Sequence, residues 1–393
     1  MKSDFTNSFI LNALNLPVMK DLNDISYLTG LSNQLLFLLS QNSESYYKKF
    51  YLDKKNGEVR EINSPSYSMK LVQRWILSEI LEKVKVSNES MAFKKDFGNG
   101  SIKNARYHQY SLYILQLDLE SFFDSIDKER IFLVFKSLGY NTYISHVLTN
   151  ICTLNGTLPQ GGVCSPYLSN LICYKLDRRL TGLCSKRDVL YTRYADDLTF
   201  SCDNKLTLKK IKNIIEDIII DENLKINHFK TRLLSPGSHK KVNGITVNNG
   251  NLKASKELKK KVRAMIHHSI VSEDYSKNNI IRGYVSYINS IEKGYLEKIK
   301  EYIINIFKKD YNHFSSTVNA FNENKLYRDI ESAEYVEFVG AGYSDDYEWL
   351  YYEERRFEFL VEKGYLKGLR DYFKKAENLL VENKDDEDPT SIF

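Results

Sequence analysis

Three aspartates have the residue type and the placement that best suit chemistry. Asp196 and Asp197 are adjacent between the strand-like runs VLYTRY and LTFS, and Asp118 ends the apolar run LYILQLD. Adjacent carboxylates repel each other unless a cation neutralises them. Carboxylate oxygens suit Mg²⁺, and two such ions support an in-line phosphoryl displacement. The three aspartates therefore predict a two-metal nucleotidyl-transfer site, although Asp-Asp taken alone is also ordinary turn chemistry.

The strands that must position these aspartates can be read from the hydrophobic pattern. A buried strand is predicted over 112–117, ending on Asp118, and two short strands within 189–201 meet at Ala195-Asp196-Asp197. The segment 46–65 predicts a β-hairpin, because Asn56-Gly57 suits a tight turn with positive φ. Further strands are predicted over 225–228 and as a turn-linked pair over 242–249.

Helices are predicted between these strands and after them. One begins after Asp127, which suits an N-cap, and another begins at Ser165-Pro166, with Ser165 as the N-cap and Pro166 at the first helical position. The remaining helical patterns lie before residue 50 and over 69–85, 208–220 and 254–309. Strands and helices alternate irregularly, which predicts an α+β core.

Charge is distributed unevenly along the chain. The 393 residues include 56 Lys+Arg and 51 Asp+Glu, a net charge of +5. Residues 321–393 hold 10 Lys+Arg and 19 Asp+Glu, a net charge of −9, which leaves +14 on residues 1–320. A basic body favours nucleic acid as a partner, although surface lysines can also serve solubility alone.

Composition excludes several other classes of protein. The five cysteines form no C-x-x-C pair, so we expect free, mostly buried thiols, no zinc site and a reducing, cytoplasmic location. The first residues lack the basic and apolar regions of a signal peptide. No run of about 18 apolar residues occurs, so we expect no membrane span.

Several motifs, in a fixed order, resemble those of the reverse transcriptase family. They are KKNGEVREINSP in the predicted hairpin, LDLESFFDSI at Asp118, LPQGGVCSPYLSN, YADD at 194–197, and FKTRLL followed by VNG. The similarity extends from Tyr46 to about Ile299. It implies an α+β right-hand polymerase fold with fingers, palm and helical thumb, two Mg²⁺ ions and deoxynucleoside triphosphates.

The resemblance also assigns roles to residues. Asp118 and Asp196 would be the paired metal ligands, assisted by Asp197, and Lys230 would protonate the pyrophosphate. The residues that would bind the nucleotide are Arg60 with Lys54 or Lys55, Gln160 and Gly161 beneath it, and Phe123, which would exclude a 2′-hydroxyl. For Phe123 the alternative is a core aromatic, and for Lys230 a solvated lysine.

Within the family, the sequence is similar to the retron reverse transcriptases of bacteria. Asn104-Ala105-Arg106-Tyr107-His108 matches the N-A-x-x-H element of that branch, and Val242-Asn243-Gly244 stands where retrons have Val-Thr-Gly. The resemblance implies that Asn104 and His108 contact RNA, although His108 could equally be a satisfied structural histidine. The basic run Lys256, Lys259, Lys260, Lys261 and Arg263 predicts a thumb helix that follows phosphates.

The predicted organisation has four parts. Residues 1–111 form N-terminal helices and fingers, 112–250 the palm with a fingers segment over about 140–185, 251–320 the basic thumb, and 321–393 a small acidic C-terminal extension. The extension contains Tyr343-Ser344-Asp345-Asp346, which we do not assign to chemistry because no floor loop or partner aspartate accompanies it.

The expected function is RNA-directed DNA synthesis on a structured noncoding RNA that remains with its DNA copy. The resemblance implies priming from the 2′-hydroxyl of a guanosine in that RNA and a role in anti-phage defence, together with an effector or toxin protein. The alternatives are a group II intron-like or diversity-generating reverse transcriptase, a maturase-like RNA-binding protein, and a scaffold whose nucleoprotein complex restrains an effector.

Overall fold

A computed structural model describes residues 4–53, 57, 59–94, 100–272 and 274–306. The chain divides into two compact units between Leu252 and Lys253, beside the palm–thumb boundary predicted after residue 250. The predicted extension over 321–393 lies outside the described residues. So do Lys54, Lys55 and Asn56 at the tip of the predicted hairpin.

Helices and strands alternate through the first unit and give way to helices in the second. In chain order they are α1 (Ser8–Ala13), α2 (Leu22–Thr29), α3 (Asn33–Gln41), β1 (Tyr47–Asp53), β2 (Val59–Pro65), α4 (Tyr67–Glu79), α5 (Gly100–Tyr107), β3 (Tyr113–Asp118), α6 (Lys128–Ser137), α7 (Thr142–Cys152), α8 (Ser165–Ile172), α9 (Tyr174–Ser185), β4 (Leu190–Tyr194), β5 (Asp197–Cys202), α10 (Lys205–Asp221), β6 (Arg232–Leu234), β7 (Lys241–Val242), β8 (Ile245–Asn248), β9 (Asn251–Lys253), α11 (Lys256–Ser272), α12 (Asn278–Ile291) and α13 (295–306).

The central sheet has the strand order β4-β5-β3-β6, and its neighbouring strands are antiparallel. Leu115 and Leu117 of β3 and Leu198 and Phe200 of β5 are buried in the main hydrophobic core. Antiparallel pairing places the last residue of β3 opposite the first residue of β5. The ends of two separate strands thus meet at one edge of the sheet.

Local sequence signals explain where several helices begin. The Asp127 side chain accepts a hydrogen bond of 2.8 Å from the Arg130 N–H, as expected for the N-cap of α6. Helix α8 differs from the prediction, because its N-cap is Cys164, which makes no side-chain capping bond, and Ser165 already lies inside the helix. Pro166 still falls within the first turn, where its missing N–H costs no hydrogen bond.

The prediction of a strand over 225–228 is wrong. This segment forms only an isolated bridge between Leu119 and Ile226, followed by a 3₁₀ turn over His228–Lys230. Its backbone is bound to the residues around the end of β3 instead. The Glu120 N–H donates to the Lys225 carbonyl, and the Asn227 N–H donates to the Asp118 carbonyl, both over 2.8 Å. The pairing strand, β6, begins later, at Arg232.

The buried thiols and the helical pattern predicted from residue 254 agree with the described part of the structure. All five cysteines are free and buried. In the second unit, Val262 and Ile266 of α11 and Ile281 and Ile288 of α12 are buried at helical spacing. Among the described helices, not one combines the length and the apolar character that a membrane span needs.

Candidate active site

The three aspartates predicted to do chemistry meet at the edge of the central sheet. Asp118 pairs with Asp197 across β3 and β5, and the Leu119 N–H donates to the Asp196 carbonyl over 3.0 Å. Ala195 and Asp196 form the turn between β4 and β5, and Ala195 has a φ of +57°. Asp118 is buried, with 8% of its surface exposed. The fold therefore brings together two adjacent carboxylates and a third that lies far away in sequence.

The aspartates share one strong local cation. Lys230 Nζ donates to both carboxylate oxygens of Asp118, over 2.8 and 3.0 Å, and this contact raises the pKa of Lys230. Desolvation, then the charges of Asp196 and Asp118, raise the pKa of Asp197 to about 6. The pKa of Asp196 is also raised, chiefly by desolvation, while Lys230 and Arg60 oppose that rise. Negative charge is thus in excess at this edge.

A divalent cation fits the chemistry of this edge. The available donors are hard carboxylate oxygens, which Mg²⁺ prefers, and the raised pKa values of Asp196 and Asp197 reflect desolvation first and then repulsion, both of which a cation would offset. In the described part of the chain, no three acidic, histidine or cysteine side chains stand close enough to form a complete metal site by themselves. Asp118, Asp196 and Asp197 would hold the ion together with oxygens from substrate.

The residues predicted to bind the nucleotide lie on β2 and on the loop before α8. The Asn63 N–H donates to the Gln160 carbonyl over 2.7 Å, which binds the hairpin strand to this loop. Gly161 has a φ of +111°, and a Cβ there would lie 2.6 Å from the Asn63 carbonyl oxygen. Arg60 is an exposed residue on the same strand, close enough to lower the pKa of Asp196. Lys55 lies outside the described residues.

Phe123 lies in the turn that follows β3. Its ring is half-buried, 5.4 Å from the Phe122 ring and 6.5 Å from the Phe93 ring between centroids. Phe122 is buried in the core, with 3% of its surface exposed. The two adjacent phenylalanines therefore occupy different environments, and part of the Phe123 ring is available to a ligand.

Asn104 and His108 are buried inside the protein rather than on its surface. Both side chains have 0% exposure. His108 Nδ1 lies 2.6 Å from Ser201 Oγ on β5, and its Nε2 lies 2.7 Å from Thr192 Oγ1 on β4. The Asn104 side chain accepts from the Thr192 hydroxyl. Direct contact with RNA, as first expected for both residues, is incompatible with this burial, and the structural alternative is favoured.

The Val242-Asn243-Gly244 element forms the two-residue turn between β7 and β8. Val242 pairs with Ile245, and Asn243 and Gly244 have φ values of +47° and +79°. Asn tolerates this left-handed backbone far better than β-branched Thr does, which explains how Asn can replace the Thr of retrons here. The Asn243 side-chain oxygen also accepts a hydrogen bond from the Asn104 side chain. The two retron-like elements are therefore in direct contact.

The predicted cationic stripe on α11 is partly engaged inside its own unit. Lys259 Nζ binds Glu292 Oε1 over 2.7 Å. Lys261 Nζ lies 4.9 Å from the centre of the Tyr284 ring, and the Arg263 guanidinium lies 5.3 Å from that of Tyr302. Lys256 and Lys260 are exposed. Lys259 thus has a structural partner, whereas Lys256 and Lys260 face solvent.

Sequence reasoning missed the fully buried ion pair between Arg193 and Asp177, whose atoms lie 2.8 Å apart. Arg193 lies on β4, immediately before the Tyr194-Ala195-Asp196-Asp197 motif. A signal was present, because an arginine inside an otherwise uncharged strand needs a buried partner. The identity of that partner, on α9, could not be read from spacing.

We predict that His108 makes unfolding depend on pH. Burial lowers its pKa from 6.5 to about 3, so the neutral imidazole stabilises the fold fully above about pH 6.5. As the pH falls from 6.5 towards 3, His108 binds a proton in the unfolded chain but not in the folded chain. The free energy of unfolding should decrease by up to about 1.4 kcal/mol per pH unit in this window.

Urea denaturation between pH 8 and pH 5, followed by tryptophan fluorescence, measures this effect. His108→Gln should be less stable at pH 8, and it should lack the part of the pH dependence due to His108. Identical pH profiles for the parent and the variant would contradict the prediction.

Comparison with known proteins agrees with the site. Residues 52–267 match the family model described as reverse transcriptase (RNA-dependent DNA polymerase). The retron Ec86 reverse transcriptase of Escherichia coli is 39% identical over 312 residues, which cover 79% of this chain and 97% of that protein. The retron Mx65 reverse transcriptase of Myxococcus xanthus is 29% identical over 307 residues, 72% of this chain and 71% of the relative.

A further relative and one solved structure complete the comparison. The retron Ec73 reverse transcriptase of Escherichia coli is 32% identical over 275 residues, covering 64% of this chain and 85% of that protein. A structure of telomerase from Candida albicans overlaps 76% of this chain and 64% of its own, with a TM-score of 0.41 and 13% identity, too loosely to add to the assignment. The family match and the identity to the Ec86 enzyme assign the fold class and the activity: this chain belongs to the reverse transcriptase family, is an RNA-directed DNA polymerase with the α+β right-hand fold, and is similar in sequence to reverse transcriptases of bacterial retrons.

Proposed function

We propose that the chain is the reverse transcriptase of a bacterial retron. It copies part of its own structured noncoding RNA into single-stranded DNA, priming from a 2′-hydroxyl of that RNA, and stays bound to both strands in the cytoplasm. One observation supports this most strongly. The Asn104–His108 element and the Val242–Gly244 turn contact each other, and the first of them is hydrogen-bonded to the strands that lead into and out of the Asp196-Asp197 turn.

The proposed metal site holds two Mg²⁺ ions. Asp118 and Asp196 bind them and Asp197 assists, in keeping with the excess of carboxylates at this edge. When bound, such ions activate the attacking hydroxyl and stabilise the leaving oxygen. Lys230 is held by Asp118 through both carboxylate oxygens. When Asp118 binds the ions through these oxygens, the Lys230 ammonium would turn to the adjoining phosphates, where it would give a proton to the departing pyrophosphate.

The proposed nucleotide site lies between β2 and the loop before α8. Arg60, assisted by Lys55, binds the triphosphate, because a guanidinium offers a phosphate two parallel donors. Gln160 and Gly161 form the floor, and the absence of a Cβ at Gly161 lets this loop pack closely against β2. The accessible part of the Phe123 ring excludes a 2′-hydroxyl, so that the product is DNA.

The proposed RNA surface lies on the outer side of α5 rather than on Asn104 and His108. Arg106 and Tyr107 are exposed on that helix, and Tyr110 is exposed just beyond it, at 78%. Exposed aromatics beside cations suit single-stranded or looped RNA. On α11 we propose Lys256 and Lys260 as phosphate contacts, together with Lys261 and Arg263, whereas Lys259 mainly holds Glu292. Asn104 and His108 position the RNA-binding helix.

An effector protein completes the proposal. The acidic segment 321–393 is our candidate for its contact surface, because a net charge of −9 disfavours nucleic acid there. Anti-phage defence would be the role of the assembled RNA, DNA and protein. Co-purification of the full chain and of a chain ending at residue 320 tests this assignment, which fails if both retain the same proteins.

The central test is synthesis on the RNA transcribed from the DNA that flanks the gene. Purified chain, this RNA, Mg²⁺ and a mixture of ribo- and deoxynucleotides should yield DNA covalently joined to RNA. The product should resist alkali except at the RNA segment, and a debranching enzyme should release the DNA. Synthesis that requires an added DNA primer on every RNA tested would refute the retron assignment while leaving the polymerase activity intact.

The metal ligands are tested by Asp196→Asn together with Asp197→Asn. Removing two carboxylates should abolish primer extension and weaken Mn²⁺ binding. RNA affinity should stay within about threefold, because phosphate contacts come from basic surfaces elsewhere. Extension near the parent rate would refute the assignment of these residues.

The basic surface of α11 is tested by Lys256→Gln together with Lys260→Gln. Binding to the flanking RNA and to an unrelated hairpin should both weaken. The slope of log K against log salt should flatten by roughly 0.7 to 0.9 for each lost contact. The matched control is Lys209→Gln with Lys210→Gln, which removes two exposed lysines from α10.

Three outcomes of that titration are informative. Equal loss on both RNAs assigns α11 to backbone contacts, and loss on the flanking RNA alone means that α11 also recognises its partner. An unchanged slope on both RNAs would refute the phosphate contacts. Arg106→Gln in the same titration tests the outer face of α5.

A further inference from the structure

Arg193 carries a buried guanidinium directly behind the catalytic turn. The residue lies on β4 with 0% of its surface exposed. Its Nε donates to Asp177 Oδ1 over 2.9 Å, and its Nη2 donates to Asp177 Oδ2 over 2.8 Å. This two-point contact with a carboxylate on α9 fixes the plane of the guanidinium and not merely its position.

The remaining nitrogen of Arg193 reaches the turn itself. Its Nη1 lies 3.2 Å from the Ala195 carbonyl oxygen and 3.1 Å from Asn170 Oδ1. The Ala195 carbonyl belongs to the peptide unit that joins Ala195 to Asp196. Because Ala195 has a φ of +57°, which is unfavourable for a residue with a Cβ, this peptide needs an external contact to hold its orientation.

Asn170 links the Arg193 guanidinium to the helix that follows the proposed nucleotide-binding loop. It lies on α8, the helix that follows the Gln160-Gly161 loop. Its side chain donates to the Ala92 carbonyl over 2.9 Å and accepts from the Ser90 hydroxyl over 2.7 Å, so its orientation is fixed. One guanidinium thus connects α9, α8 and the Ala195–Asp196 peptide.

Packing alone does not require the buried ion pair between Arg193 and Asp177. A buried ion pair is costly to desolvate, and apolar residues of similar volume often stabilise a protein as well or better. The hydrogen bond from Arg193 to the Ala195 carbonyl explains why a guanidinium and a carboxylate are buried here. An apolar side chain cannot make this directional bond. Bidentate pairing with Asp177 keeps the donor aimed at that carbonyl.

We propose that Arg193 is a positioning residue for metal binding. It acts through the Ala195 carbonyl to hold the Asp196-Asp197 turn in the orientation that receives the divalent ions, with Asp177 and Asn170 fixing its guanidinium. This proposal rests on the proposed metal-binding role of Asp196 and Asp197. It concerns residues that touch neither the metal nor the substrate.

Two variants separate positioning from stability. Arg193→Lys keeps a positive charge beside Asp177 but loses the planar fork, so it cannot bind Asp177, Asn170 and Ala195 together. Arg193→Met combined with Asp177→Leu replaces the ion pair by apolar residues, which usually preserves folding. Tyr191→Phe is the matched control, because it removes another 2.8 Å hydrogen bond to Asp177 and leaves Arg193 in place.

The full-length variants are compared in four measurements. These are thermal unfolding, RNA binding, Mn²⁺ binding followed by electron paramagnetic resonance, and primer extension at several Mg²⁺ and deoxynucleotide concentrations. Both Arg193 variants should fold and bind RNA like the parent. Their Mn²⁺ affinity or kcat should fall by about 10- to 100-fold, the range for residues that orient metal ligands, with KM for the nucleotide little changed. Tyr191→Phe should match the parent in metal affinity and kcat.

Several outcomes would overturn the proposal. Parent-like Mn²⁺ affinity and kcat in both Arg193 variants would leave the ion pair with a structural role alone. Failure of both to fold would assign Arg193 to the fold and count against positioning. If Asp196→Asn with Asp197→Asn binds Mn²⁺ and extends primers normally, the metal assignment itself fails. If that variant is inactive while the Arg193 variants behave like the parent, only the positioning role fails.

Discussion

The structure depends on holding carboxylates close together against their mutual repulsion. Asp118 and Asp197 face each other at the ends of paired strands, and Asp196 adjoins them. In water such groups would separate. Here the paired strands hold their backbones in place, because the apolar residues of these strands are packed in the hydrophobic core. Desolvation, and after it this repulsion, raises the pKa values of Asp196 and Asp197. A cation would then bind at a site whose electrostatic cost was met during folding.

Buried polar contacts of β4 and β5 fix the orientation of these strands more closely than apolar packing can. On one side, Asn104 and His108 are hydrogen-bonded to Thr192 and Ser201 of the two strands flanking the turn. On the other side, Arg193 is held by Asp177. Hydrogen bonds fix direction as well as distance, whereas apolar contacts mainly exclude water. These polar contacts therefore orient the strands and the turn that the hydrophobic core packs together.

The sequence predicted the strands and turns better than the environments of individual side chains. Alternating apolar runs and the Asp-Asp turn led directly to β3, β4 and β5, because these signals are local. The strand over 225–228 failed because its backbone bonds go to the end of β3, a long-range competition that no local pattern records. The expectation that Asn104 and His108 contact RNA has a related limit. Their spacing of four residues favours one common side of α5 and the turn that follows it, but cannot tell whether that side meets RNA or strands β4 and β5.

The hydrogen bond between Asn63 and Gln160 limits how the hairpin can bend. Asn63 is fixed to the loop by its N–H, and Gly161, which has no Cβ, lets the two backbones lie close together. Any bending must therefore occur on the tip side of Asn63. Arg60 is three residues further along, about 10 Å of strand. On so short a lever arm, a bend of about 20° moves the backbone at Arg60 by only about 3 Å. If Arg60 binds the triphosphate as proposed, closure would be a small rotation about a fixed pivot, with most of the reach supplied by the arginine side chain.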